Sequence, residues 1–150
     1  MNAAAGRYFD TLVLHETRLW SMVERRLRAT EGAVSLGRFE VLRTVDGADG
    51  AARVQDVAAA LLITVGAASR IVQRLVADGL IERAPHETDR RSHHLRLSPA
   101  GRRASDATTT AFDAALADVF RGLDDERLAA LHELLREADD ALAHLGDADS

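Results

Sequence analysis

From Thr64 to Leu75 the chain reads Thr-Val-Gly-Ala-Ala-Ser-Arg-Ile-Val-Gln-Arg-Leu, and at helical spacing this run separates into two faces of different chemistry. Val65, Ala68, Ile71 or Val72, and Leu75 make an inward apolar row, which leaves Gly66, Ala67, Ser69, Arg70, Gln73 and Arg74 outside. The outer set suits the major groove of duplex DNA. Small side chains near the helix start admit close approach to base edges, a guanidinium such as that of Arg70 can bond guanine O6 and N7 together, and the Gln73 amide can bond adenine or a phosphate. Thr64 stands at the helix start, where it is a candidate cap and a candidate contact. A second basic feature follows in the polar segment from Pro85 to Ser92, where Asp89, Arg90 and Arg91 are adjacent. At a hairpin tip, Arg90 or Arg91 can enter a minor groove while Asp89 pins the other guanidinium. A pair of short helices, or a charged loop, is common in proteins that never meet nucleic acid. It is the succession of the two that carries the expectation.

These residues need elements to hold them. Val54 to Leu61 and Thr64 to Ala77 read as two short helices separated by two or three residues, with Val57, Ala58, Leu61, Ile63, Ala68 and Ile71 on the inward side of a helix-turn-helix. Ala58 is small where the helices cross. Leu62 stands where such turns commonly place Gly, so the turn must be of a type that tolerates a side chain. Leu80 to Ala84 and His93 to Ser98 are strand candidates; in the second, His93, Leu95 and Leu97 alternate with His94, Arg96 and Ser98. Ser98-Pro99 then opens a helix to about Phe120, with Phe112, Leu116, Val119 and Leu123 on one face. Asp124, Asp125 and Glu126 place acids at the positive start of a last helix, whose Leu128, Leu131, Leu135, Ala138, Leu142 and Leu145 keep a 3-4 spacing. On the N-terminal side, Arg7 to Ala29 reads as a helix with one apolar row at Phe9, Val13, Trp20, Val23 and Leu27 and another at Tyr8, Leu12 and Leu19. So wide a stripe predicts a partner surface. A shorter amphipathic helix, Ser35 to Val45, ends at the turn-rich Asp46 to Gly50.

Composition sets the outer bounds. A chain of 150 residues, 47% hydrophobic but only 4% aromatic, is expected to fold around one core and mainly from helices. No apolar run approaches the roughly 18 residues that span a bilayer, and the first seven residues lack an apolar signal core, so a soluble, non-secreted protein without a membrane partner is expected. Zero cysteines exclude disulfides, thiolate zinc sites and a cysteine nucleophile. The net charge of −5 argues against a nucleic-acid partner only until its distribution is read. Residues 1 to 66 are neutral; residues 67 to 103 carry eight Arg against four acids, for +4; the remainder carries three Arg against twelve acids, for −9. A phosphate-binding footprint therefore belongs in the middle. Adjacent His93 and His94 on a strand point to opposite faces, which is the wrong geometry for joint metal ligation. With no Gly-rich phosphate loop, Ser/His/Asp set or paired carboxylates in an apolar setting, neither an enzyme, a cofactor nor a metal site is expected.

Thr64 to Leu75, then Asp78-Gly79-Leu80-Ile81-Glu82-Arg83, then Asp89-Arg90-Arg91-Ser92 and Leu97-Ser98-Pro99-Ala100-Gly101 resemble the recognition helix and wing of the MarR family of winged-helix regulators. The order of elements is similar over nearly the whole chain. The resemblance implies a mainly α fold with a small β-hairpin wing, organised as a single domain over residues 1–150. Residues 35–98 would form the winged helix-turn-helix lobe, and residues 7–34 and 99–146 the helical dimerisation region. It further implies a homodimer that binds a pseudo-palindromic site in double-stranded DNA, a repressor released by a small molecule, cytoplasmic and nucleoid-associated when bound to DNA. For the dimer interface the expected residues are Phe9, Val13, Leu128, Leu131, Leu135 and Leu142. For the ligand crevice they are His15, Trp20, Phe39 and Phe112, with ordinary packing as the alternative for His15 and Trp20. A helical protein interaction module that no longer binds DNA is the competing reading of the same elements.

Overall fold

The computed structural model of the chain describes residues 3–48, 50–85 and 93–148. Its elements are α1 (Ala3–Arg28), α2 (Leu36–Asp46), α3 (Val54–Ala60), α4 (Val65–Ala77), β1 (Ile81–Pro85), β2 (His93–Leu97), α5 (Pro99–Val119) and α6 (Asp125–Ala148). This is the expected order, four helices, a hairpin and two long helices. The chain forms two compact units, Met1–Ala115 and Leu116–Ser150, with α5 running from the first into the second. No single helix among the described residues is long and apolar enough to cross a membrane.

In the first unit, one continuous core takes Val41, Leu42 and Val45 from α2, Val57 and Ala58 from α3, Ala68, Val72 and Leu75 from α4, and Ile81, Leu95 and Leu97 from the hairpin. The apolar periodicities of these segments dictate this, because each helix is too short to be stable in water without burying its stripe. The strands pair antiparallel with Ile81 opposite Leu97 and Pro85 opposite His93. Ala52 adds a bridge to Leu95, whose N–H donates to the Ala52 carbonyl at 2.7 Å. Ala52, two residues before α3, is thereby fastened to the middle of β2.

The helix starts are held by contacts that sequence periodicity does not show. Ser35 precedes α2 in extended conformation but makes no side-chain cap; instead the Leu36 N–H donates to Glu24 Oε2 of α1 at 2.8 Å, while Glu24 Oε1 accepts from Arg28 at 3.2 Å. The Val34 N–H donates to the buried Thr108 hydroxyl of α5 at 3.0 Å, and Thr108 donates to the Ala104 carbonyl at 2.6 Å. At α5, Ser98 Oγ accepts the Gly101 N–H at 2.9 Å and donates to the Gly79 carbonyl at 2.5 Å.

One sequence expectation, the apolar face of α5, needs correction here. The face of α5 closed from water is the small-residue row Gly101, Ala104, Ser105, Thr108, Ala111 and Ala115, whereas Phe112, Leu116 and Val119 are half-buried. Small side chains let this helix approach the backbone beneath it, and the bulky row is left at the margin. On α1, only Val23 and Leu27 of the apolar rows are buried; Tyr8, Phe9, Val13 and Trp20 remain exposed.

In the second unit, Asp124 caps α6 by accepting the Arg127 N–H at 2.9 Å. Arg136 pairs with Glu133 at 3.2 Å and Asp140 at 2.8 Å along the helix surface. Leu128 and Ala138 are half-buried, and Leu131, Leu134, Leu135 and Leu142 are exposed. The side chain of Leu145 lies outside the described residues.

Candidate nucleic-acid interface

The axes of α3 and α4 turn by 113° across the four intervening residues, within the range of helix-turn-helix pairs. The turn answers the difficulty posed by Leu62. Its φ is +52°, the left-handed conformation in which glycine is normally found. The Leu62 N–H donates to the Ala59 carbonyl at 3.3 Å and the Ile63 N–H to the Ala58 carbonyl at 3.0 Å, the bond pair of a Schellman motif. Helix α4 ends the same way, with Gly79 at φ +72° and the Leu80 N–H on the Leu75 carbonyl at 2.9 Å. One of the two motifs therefore holds a leucine in the glycine position.

At the start of α4, Thr64 Oγ1 accepts the Ala67 N–H at 3.2 Å, which leaves its hydroxyl proton to donate outward. Ala68, Val72 and Leu75 are wholly buried, and this fixes the rotation of the helix about its axis. Gly66, Arg70, Gln73 and Arg74 are exposed as the spacing predicts, while Ala67 and Ser69 sit half-buried at the two edges of that face. Among the described residues, Arg70 and Arg74 take part in no ion pair. Other arginines of the basic middle segment are neutralised locally, Arg96 by Glu82 at 2.9 Å and Arg102 by Asp46 at 3.0 Å. Arg83 on β1 and Arg103 on α5 are likewise exposed and outside the ion pairs of the described residues, so α4 carries two of the open guanidiniums of this segment.

Val65 departs from expectation. It was assigned to the inward row, yet it is 51% exposed, because as the first residue of α4 it lies a turn before Ala68, beyond the edge of the core. Asp89, Arg90 and Arg91 lie outside the described residues.

Of the expected crevice residues, Phe39 and Phe112 are in ring contact, centroids 5.6 Å apart and planes at 53°. The Arg43 guanidinium stands 5.5 Å from the first ring and 5.9 Å from the second. Phe39 is fully buried and Phe112 half-buried. Trp20 lines a shallow groove of about 450 Å³ with Ser21, Glu24, Arg25 and Arg28 of its own helix, and His15 is exposed farther along α1. The sequence reading missed Arg38, which pairs with Asp78 and thereby ties the start of α2 to the end of α4 beside a groove of about 610 Å³. Only the fold brings those two residues together.

The MarR family model matches residues 34–92, the segment that carries α2 to the hairpin. A crystal structure of a MarR family transcription regulator is 26% identical, covers 96% of this chain and 98% of its own, and superposes with a TM-score of 0.75. CouR from Rhodococcus jostii RHA1, bound to p-coumaroyl-CoA, is 21% identical over 92% of this chain and 95% of its own, with a TM-score of 0.78. A mutant MarR from E. coli complexed with operator DNA is 20% identical over 91% of this chain and 94% of its own, with a TM-score of 0.71. No curated protein matches the chain. The chain has the winged-helix fold of these regulators, and its central lobe, residues 34–92, matches the MarR family model.

Proposed function

We propose that the chain is a transcription regulator that binds duplex DNA through α4 and its hairpin, acting as a homodimer on a pseudo-palindromic site. The observation that carries this reading is the exposed face of α4, where Arg70 and Arg74 stand without ion-pair partners among the described residues, on the same face as Gly66 and Gln73. Uncompensated guanidiniums on a helix presented by a 113° turn match what a major groove accepts. Thr64, Ala67 and Ser69 complete the contact surface, with Asp89, Arg90 and Arg91 assigned to the hairpin tip. Two copies of α4 would enter successive major grooves about 34–36 Å apart.

The dimer is supported by apolar surface that one chain leaves uncovered: Phe9 and Val13 on α1, and Leu131, Leu135 and Leu142 on α6, with Leu128 half-buried beside them. Residues 7–34 and 99–146 then form the dimerisation region and residues 35–98 the reading lobe of one domain. Response to a small organic ligand is supported by the similarity to CouR, whose structure is bound to p-coumaroyl-CoA; repression relieved by such a ligand, in the cytoplasm and on the nucleoid, completes the reading. His15, Trp20, Phe39 and Phe112 are the residues assigned to ligand response.

A salt series on random duplex DNA tests the reading. Neutralised phosphates release counterions, so the logarithm of the binding constant should fall linearly with the logarithm of salt concentration, by about 0.9 per phosphate contacted. Absence of binding at low salt would favour the interaction module instead.

A further inference from the structure

We infer that Val65 reads the methyl group of a thymine in the major groove, an inference that rests on the DNA-binding reading above. Val65 is 51% exposed although the rest of the inward row, Ala68, Val72 and Leu75, is completely closed from water. The exposure is therefore local to the helix start and does not reflect a loosely seated helix. Val65 stands one turn before Ser69 on the same edge of α4, at the helix start, immediately before Gly66 in the chain. Around Gly66 the space is open, with no other described segment of the chain within 4 Å of where a Cβ would lie. About half of Val65 is thus open to solvent at the end of the helix that base edges would approach. Leu62, 94% exposed on the preceding turn, is a second apolar side chain that the core leaves uncovered near the helix start.

Of the other groups on this face, Ala67 is half-buried and Gly66 has no side chain, and the exposed side chains Arg70, Gln73 and Arg74 are polar. Arg70 matches guanine and Gln73 matches adenine or phosphate, but neither detects the one apolar group on a major-groove edge, the thymine C5 methyl. An exposed valine does so by excluding water from that methyl. Its branched side chain holds essentially one rotamer in a helix, so little side-chain freedom is lost when the contact forms. Covering one methyl corresponds to about a fourfold gain in affinity.

The test begins with a site selected by the wild-type protein from a randomised duplex pool. Each thymidine of that site is replaced in turn by deoxyuridine, which removes the methyl and nothing else, and binding is followed by fluorescence anisotropy. At one thymine position or more, the replacement should weaken wild-type binding about fourfold. Val65→Ala should abolish that difference, leaving thermal melting and the response to the other thymidines unchanged. The inference is overturned if no replacement weakens the wild type, or if Val65→Ala keeps the same thymidine-to-deoxyuridine ratio. Failure of the wild type to select any sequence would overturn the DNA-binding reading as well, so the two failures are separately visible.

Discussion

A Cβ added to Gly101 would stand 1.9 Å from the carbonyl oxygen of Leu80. That carbonyl also accepts the Ser98 N–H at 3.0 Å, so the start of α5 is pressed against the strand entry and bonded to it. The run Leu97-Ser98-Pro99-Ala100-Gly101 thus has a mechanical meaning. Ser98 caps the helix and grips Gly79, Pro99 occupies the first helical position, where no N–H is needed, and Gly101 lets the two backbones meet.

Gly101→Ala should therefore destabilise the first unit. The neighbour is backbone and cannot move aside alone, so a loss of about 1–3 kcal/mol is expected, read as a lower urea midpoint with unchanged slope. An unchanged midpoint would show that α5 can shift without cost.

Leu62→Gly should have the opposite sign. A leucine at φ +52° with its side chain almost entirely in solvent bears the left-handed penalty and gains no packing. Relief of about 1 kcal/mol is expected in a thermal or urea melt, despite the greater freedom of glycine in the unfolded chain. A destabilised variant would mean that Leu62 has a packing role its exposure does not reveal.

Arg70 and Arg74 should separate by their dependence on DNA sequence. Arg70 lies at the centre of the exposed face near the start of α4, so Arg70→Ala should cost about 1–3 kcal/mol on a selected site and little on random duplex. Arg74, a turn farther on, should act on phosphate: Arg74→Ala should weaken both DNAs alike and reduce the salt slope by about 1. Equal losses on both DNAs for Arg70→Ala would reassign it to the backbone.

The double substitution Leu131→Asp with Leu135→Asp tests assembly. Both leucines are exposed in the single chain, so two carboxylates there should leave the folded unit intact but would be intolerable inside a helical interface. Sedimentation should report monomer or aggregate, and specific DNA binding should vanish while weak, salt-sensitive contact remains. A dimer that survives both changes would exclude this face of α6.

Much of the architecture was legible because it follows from local rules. The 3-4 spacing of apolar residues placed the helices, alternation at Leu95 and Leu97 placed β2, and Ser98-Pro99 placed the start of α5 to the residue. The outward set on α4 was readable for the same reason: Ala68, Val72 and Leu75 can face only one way once the helix is packed. Tertiary structure decided what periodicity cannot encode. Whether Val65 is buried depends on where the core ends, and which face of α5 turns inward depends on how closely its backbone meets Leu80. The cap of α2 comes from Glu24, twelve residues earlier in the chain. Leu62 adopts a conformation that its own side chain disfavours, because the surrounding bonds to Ala58 and Ala59 hold the turn closed. A repeating pattern is a property of one segment, whereas burial, close approach and strain are properties of pairs of segments and exist only once the chain has folded.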